Sequence, residues 1–281
     1  MSSTAPTISL EYFPPRTEKG AQGLAAARAE LKLLKPSYVS VTFGAGGSTQ
    51  DGTYATIKSI LEEDGVDAAP HISCISSSRR ELADMLEAYR DLGVKRLVAL
   101  RGDVPSGYGT MDAAELRYAN ELVAFIREQT GDHFRIEVAA YPETHPQARS
   151  AQDDLDNFKR KVDAGANSAI TQYFFNPDAY YAFMDSCSKL GLDIPVIPGI
   201  MTITNYKQLA RFSDTCGAEI PRWIRKRLEG YGDDLASIRE FGFDVVLGLC
   251  EKLLDGGAPG LHFYSMNRTE PTRALWKALD L

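Results

Sequence analysis

Short runs dense in valine, isoleucine and aromatic residues alternate along this chain with longer stretches whose apolar positions recur every three or four residues. The first pattern predicts buried strands and the second amphipathic helices. Strands are expected at residues 8–13, 38–43, 69–75, 96–100, 135–140, 168–174, 194–197 and 260–264, with helices between them at 18–34, 49–63, 79–92, 112–129, 149–164 and 177–190. The connection from the seventh strand to the eighth holds three helical patterns, at 206–216, 221–229 and 234–254, and a final helix follows Arg268. Strands that alternate strictly with helices run parallel, because parallel neighbours need a crossover rather than a tight turn. The predicted fold is α/β: a (β/α)8 TIM-type barrel, one domain over residues 1–281, with extra helices between strands seven and eight. An open doubly wound sheet is the competing topology, weakened by the absence of a G-x-G-x-x-G turn after the first strand.

Composition narrows the class of partner. A 44% hydrophobic and 25% charged content is ordinary for a globular protein, and a net charge of −7 argues against a surface that neutralises nucleic-acid phosphates. A small-molecule ligand is expected instead. No stretch supplies the roughly 18 apolar residues of a membrane span, and residues 1–10 lack the basic and apolar regions of a secretory signal. Cys74, Cys187, Cys216 and Cys250 are scattered, as are His71, His133, His145 and His262, so neither a disulfide framework nor a metal site is expected. These readings place the protein in the cytoplasm, with reduced thiols.

In a barrel of this kind the chemistry gathers at the C-terminal ends of the strands. Polar residues fall there at nearly every strand: Glu11 after the first, Thr42 and the Gly44-Ala45-Gly46-Gly47 loop after the second, His71 in the third and Arg101-Gly102-Asp103 after the fourth. Residues 141–145 follow the fifth, Gln172 lies in the sixth, and Asn267-Arg268 follow the eighth. Pro14 and Pro15 end the first strand, since neither can donate a ladder hydrogen bond. A carboxylate there, crowded by Tyr12 and Phe13, would be partly desolvated and suited to holding a proton near neutral pH. Pairing with Arg16 is the alternative of equal weight. The glycine loop could cradle a phosphate through its amides or be a plain tight turn. His71 or His145 could equally be a core or loop histidine. Asp154, Phe158 and Lys161 share one face of the fifth helix, which by itself reads as a solvated, ion-paired face around one core aromatic.

Several blocks then carry a resemblance: Glu11-Tyr12-Phe13-Pro14-Pro15-Arg16, Val41-Thr42-Phe43-Gly44-Ala45-Gly46-Gly47, Ala99-Leu100-Arg101-Gly102-Asp103, Ala140-Tyr141-Pro142-Glu143-Thr144-His145-Pro146, residues 159–172 (KRKVDAGANSAITQ), Pro198-Gly199-Ile200-Met201 and His262-Phe263-Tyr264-Ser265-Met266-Asn267-Arg268. In order, from about residue 8 to residue 268, the chain resembles the bacterial-type methylenetetrahydrofolate reductases. The resemblance implies a flavoprotein barrel that takes hydride from NADH, with NADPH not excluded, onto FAD. In ping-pong order the hydride then passes to 5,10-methylenetetrahydrofolate, giving 5-methyltetrahydrofolate for methionine synthesis.

The resemblance also implies residue roles. Glu11 matches the acid that helps protonate N10 of the folate. Asp103 matches a carboxylate beside flavin and pterin, whose charge lowers the flavin's reduction potential and favours hydride release. The implied flavin contacts are Phe43, Ala45, His71, Arg101, Gly102, Asp103, Tyr118, Ala119, Tyr141, His145, Ala148, Asp154, Asn157 and Lys161. Thr42, Gln172 and Phe212 would meet the nicotinamide nucleotide, and Asp103, Gln172, Gln208, Phe212 and Arg268 the folate. The fifth helix changes meaning accordingly: Lys161 and Arg101 suit a pyrophosphate and Asp154 a ribose hydroxyl, while Phe158 stays with the core. No metal, nucleic acid or membrane is implied as a partner. A homo-oligomer is, and a tetramer by likeness to bacterial relatives.

There are departures and competing readings. The loop at 44–53 carries Thr49-Gln50-Asp51-Gly52 where some relatives have more charge. The sequence stops about one helix after the eighth strand, so the S-adenosylmethionine-sensing domain of eukaryotic members is not expected. Another flavin-dependent barrel oxidoreductase is the first alternative. A barrel lyase or aldolase would need a Schiff-base lysine or metal ligands at strand ends, and neither is evident. A non-catalytic folate- or flavin-binding module is the remaining one. The basic cluster Arg222, Arg225, Lys226 and Arg227 reads as a solvated helix face or a subunit contact, with guidance of an anionic folate tail as the sharper alternative.

Overall fold

The computed structural model describes residues 5–43, 47–75, 77–102 and 115–281 and, for residues 47–50, the backbone only. Its strands are β1 (Thr7–Tyr12), β2 (Tyr38–Val41), β3 (Ala68–Ser73), β4 (Arg96–Leu100), β5 (Arg135–Ala140), β6 (Ser168–Thr171), β7 (Val196–Ile197), β8 (Gly199–Met201) and β9 (Gly260–Tyr264). They hydrogen-bond in the order β7-β6-β5-β4-β3-β2-β1-β9-β8, and every pair is parallel. Helices cover the outside: α1 (Glu18–Leu31), α2 (Gly47–Ser59), α3 (Arg79–Asp91), α4 (Ala119–Thr130), α5 (Ala151–Asp163) and α6 (Pro177–Lys189) in the crossovers, then α7 (Tyr206–Cys216), α8 (Arg222–Tyr231), α9 (Leu235–Asp255) and α10 (Glu270–Ala278).

The nearly closed barrel matches the expected architecture, with one refinement. The seventh strand is broken at Pro198, which has no N–H to donate. Its first half, β7, pairs with β6 through Ala169↔Val196 and Ile170↔Ile197; its second half, β8, pairs with β9 through Gly199↔His262, Ile200↔Phe263 and Met201↔Tyr264. Two bonds stitch the break. The Pro198 carbonyl accepts from the His262 amide at 2.9 Å, and the Gly199 amide donates to the Thr171 hydroxyl at 2.8 Å. Only glycine fits there, because a Cβ on residue 199 would stand 2.2 Å from the Thr171 carbonyl oxygen.

Side chains alternate across each strand. In β1, Ile8, Leu10 and Tyr12 face outward into the main apolar core with the helices, whereas Ser9 and Glu11 face the lumen. The lumen has its own small apolar plug of Tyr38, Ala69, Val98 and Ile170.

Helix ends follow their caps. Ser150 accepts from the Asp153 amide, so α5 begins at Ala151 rather than at the expected 149. α4 begins at Ala119 rather than 112. Tyr118 is extended, the Arg117 amide donates to the Glu121 carboxylate in the first turn of α4, and the Arg79 amide at the start of α3 donates to Glu115, so residues 115–118 precede the helix instead of continuing it. Residues 112–114 lie outside the described residues.

Candidate active site

Glu11 stands one residue before the end of β1, and its surroundings differ from those expected. Tyr12 turns away into the outer core, Phe13 is exposed, and the side chains facing the carboxylate are not Arg16 but two histidines. Glu11 Oε2 lies 3.5 Å from His71 Nε2 on β3 and 3.9 Å from His262 Nε2 on β9. Both imidazole nitrogens are buried and without a hydrogen-bond partner. Burial pushes the His71 imidazole below its ordinary range and His262 adds to that, against the opposing pull of Glu11 and Glu137. Tyr264, the register neighbour of Glu11 on β9, completes this wall. Its hydroxyl donates to the Thr171 carbonyl at 2.7 Å, and burial holds its phenol well above the usual range.

Around the barrel mouth the other expected residues fall into groups. Gly102 follows β4 with φ +86, and a Cβ there would lie 1.9 Å from the Ser73 hydroxyl, so the close approach of the Arg101-Gly102 backbone to β3 requires glycine. Ser73 in turn donates to the Arg101 carbonyl at 2.8 Å, and the Arg101 guanidinium bonds Gln147 at 2.6 Å. After β5, the rings of Tyr141 and His145 meet edge to face at 4.5 Å. Asp154 accepts from the His145 amide at 2.8 Å, and Ala148 closes the turn by donating to the His145 carbonyl at 2.9 Å. The α5 face carrying Asp154 and Lys161 therefore points at the barrel, not at solvent. Lys161 donates to the Ala139 carbonyl at 2.6 Å and lies 5.6 Å from the Phe158 ring, which is core. Asn157, on the same helix, is held by Arg160 at 2.5 Å.

Gln208, Phe212 and Arg268 line one cleft with Asn205 and Met266. Asn205 caps α7 by accepting from the Gln208 amide at 2.9 Å, and Arg268 donates to the Thr204 hydroxyl at 3.3 Å. Gln172 and Tyr141 share a second, smaller cleft. Thr42 and Phe43 directly follow β2, where the Thr42 carbonyl accepts from the Thr53 hydroxyl at 2.9 Å. Tyr118 is exposed at the N-terminus of α4 beside Ala119. Asp103 and Ala45 lie outside the described residues.

A family profile described as "Methylenetetrahydrofolate reductase" matches residues 1–280. The chain belongs to that family. A 5,10-methylenetetrahydrofolate reductase of Salmonella typhimurium is 42% identical over 274 residues, covering 98% of this chain and 90% of its own. The Escherichia coli reductase matches over the same shares at 42%. A maize protein named methylenetetrahydrofolate reductase (NADH) 1 is 35% identical over 92% of this chain and 46% of its own length. Among solved structures, an uncharacterized Clostridium thermocellum protein described as binding two copies of 5-methyl-5,6,7,8-tetrahydrofolic acid has a TM-score of 0.67 at 17% identity, covering 98% of this chain and 95% of its own. That likeness bears on the fold alone. Family membership makes the chain an enzyme, with methylenetetrahydrofolate reductase activity.

Sequence reading overlooked part of this reductase's lumen. His262, set aside for want of ligand spacing, faces Glu11 and bonds the Ser9 hydroxyl at 2.7 Å. Below it Glu137, 1% exposed, accepts from Tyr38 at 2.6 Å and from Ser168 at 3.3 Å and is paired with Arg96. Strand periodicity would have exposed them. Polar residues at alternate positions of strands otherwise apolar on their other face, such as Glu137 in β5 and His262 in β9, must point into the lumen. Among the described residues no cluster of ligating side chains suits a metal, and no helix is long and apolar enough to cross a membrane.

Proposed function

We propose that this reductase works with FAD and NAD(P)H, and that Glu11 is its proton donor. The observation that carries the proposal is a carboxyl in the lumen at the barrel's C-terminal end, with an unpartnered imidazole nitrogen on either side. In its acid form Glu11 donates to N10 of the bound folate, so that the bond from N10 to the bridging methylene breaks and N5 takes up the positive charge as an iminium. The imidazoles keep the carboxyl oriented. Contacts of 3.5 and 3.9 Å are longer than hydrogen bonds, as catalytic contacts often are before substrate binds. Gln208, Phe212 and Arg268 sit together where a folate's aromatic ring and carboxylate can lie against an amide, a ring and a guanidinium.

The residues present suit a flavin dinucleotide. Lys161 has no ion pair within 4.0 Å among the described residues, and burial pushes its ammonium down to about 8 despite the nearby Asp154. A buried cation short of a counter-charge fits a pyrophosphate. Arg101 and the glycine-tight backbone at residue 102 lie on the same rim, and the orphaned His71 Nε2 points into the lumen. Held by Lys161, Arg101 and the backbone at residue 102, FAD would supply a hydride carrier between NAD(P)H and the folate. The negative charge given to Asp103 rests on the family resemblance alone.

The test is Glu11→Gln, followed by stopped flow in both half-reactions. Reduction of the bound flavin by NADH should persist, and reduction of the folate by the reduced enzyme should fall by about 10²-fold or more, the scale of a lost general acid. A variant that loses NADH oxidation but still turns over folate would remove Glu11 from this role.

A further inference from the structure

The main-chain ladder that carries Glu11 ends with it, and side chains continue it. β1 and β9 pair in parallel up to Glu11↔Tyr264. Beyond Tyr264 the β9 chain turns aside: the Arg268 amide donates to the Ser265 carbonyl at 2.9 Å, closing a tight turn whose central residues, Met266 and Asn267, both have φ +53. Positive φ at both central positions marks a type I′ turn, which suits asparagine and strains methionine. With its main chain turned away, β9 has no further N–H or C=O to offer β1.

Two side chains of the turn take over. The buried Ser265 hydroxyl donates to the Glu11 carbonyl at 2.5 Å and accepts from the Asn267 amide at 3.2 Å. The Asn267 carboxamide then spans Phe13: its Oδ1 accepts from the Phe13 N–H at 3.1 Å, and its Nδ2 donates to the Phe13 carbonyl at 2.9 Å. The opposite amide orientation would set donor on donor and oxygen on oxygen, so the pairing has one direction. On the β2 side the Tyr12 carbonyl accepts from the Thr42 amide at 3.0 Å, so the chain just after Glu11 is held from both neighbours until Pro14, which has no N–H to extend the strand. The same turn also reaches the folate cleft. Met266 and Arg268, on either side of Asn267, line it with Gln208 and Phe212.

We infer that Asn267, together with Ser265, is a positioning residue for the acid: the two side chains clamp the main chain at Glu11 and Phe13 and hold it in register with the cleft that Met266 and Arg268 line. The inference rests on the reading of Glu11 as proton donor. The carboxyl of Glu11 ends a long, rotatable side chain, so its place is set by where the main chain starts it. A misplacement of about 1 Å can cost about 10²-fold in rate.

The decisive variant is Asn267→Gly, which keeps the left-handed backbone of the turn, and with it the presentation of Arg268, while removing the carboxamide. Reduction of the flavin by NADH, which needs no proton from Glu11, should be unchanged, as should the dissociation constant of 5-methyltetrahydrofolate from the oxidised enzyme. Stopped flow at saturating folate should show folate reduction by the reduced enzyme slowed by about 10-fold or more. A merely structural role would not separate these three readouts. Ser265→Ala, which frees the Glu11 carbonyl, is the second variant should Asn267→Gly not fold, and the same pattern is expected of it. Combining Asn267→Gly with Glu11→Gln tests whether the clamp acts through the acid: the double variant should be hardly slower than Glu11→Gln alone. An unchanged rate of folate reduction in folded Asn267→Gly overturns the inference. So does a loss confined to folate affinity, or an equal loss with and without the Glu11 carboxyl. If Glu11→Gln by itself leaves folate reduction intact, the proton-donor reading has failed and the inference falls with it, a result obtained without any change at Asn267.

Discussion

Lys161 shows how a single residue ties stability to function in this reductase. Its ammonium is held down to about 8 by burial, with only Asp154 opposing. The unfolded chain keeps that proton up to its ordinary value of 10.5, so between about 8 and 10.5 the unfolded state binds more protons and stability rises with pH. At neutral pH the buried charge is a cost. Lys161→Met keeps the stem against Phe158 and removes the charge, and should stabilise the cofactor-free protein at pH 7 by about 1–2 kcal/mol, less than the full shift implies because the bond to Ala139 is also lost. The same variant should release flavin more readily. Thermal melts of cofactor-free protein at pH 7 and pH 10, with flavin retention on gel filtration, check both effects; a lower melting temperature at pH 7 would show that the carbonyl bond outweighs the buried charge.

Among the elements, the broken seventh strand concentrates the demands on backbone fit. Gly199 must let its amide reach Thr171 and its Cα pass the Thr171 carbonyl, so Gly199→Ala should destabilise the protein by about 2–3 kcal/mol through forced backbone displacement. Gly248, inside α9, has nothing within 4 Å of the position a Cβ would take. Gly248→Ala should instead stabilise by about 0.5–1 kcal/mol through helix propensity. Urea titrations of the two variants should bracket the parent protein, and a neutral Gly199→Ala would mean that the junction at Pro198 yields. α8 shows how pairing blunts an apparent charge cluster. Lys226 is paired with Glu229 at 2.7 Å, Arg227 donates to the Tyr231 hydroxyl at 2.9 Å, and Ile224 and Leu228 form the buried face.

At the scale of the molecule, the barrel depends on β9, which joins β1 to β8 and carries His262. β9 is backed by α10, where Trp276 is 4% exposed, packs beside Phe263 and donates its indole N–H to the Leu281 carbonyl at 2.8 Å. Trp276→Ala should therefore cost about 3–5 kcal/mol. The loss should appear as one cooperative shift of the urea midpoint with an unchanged slope, followed by far-ultraviolet circular dichroism. A separate early transition, with the rest of the signal unmoved, would show that α10 melts alone.

Much of this was legible in one dimension. Strand and helix periods are local properties, so the order of elements, their parallel arrangement and the barrel follow from patterning, and Glu11 is marked by its place before two prolines. The start of α4 slipped to Ala119 where partners such as Arg79, far along the chain, hold the residues before it, and the short strand β8 beyond Pro198 was not foreseen because its pairing is with β9. The lumen network was hidden for a different reason. Ser9 and His262 are 253 residues apart, and Tyr38 and Glu137 are 99 apart, so no spacing along the chain records that they touch. Closing the barrel brings β9 against β1 and turns alternate side chains of eight strand positions toward one axis. There, removed from water, hydroxyls find an imidazole and a carboxylate, Ser9 pairing with His262 and Tyr38 with Glu137.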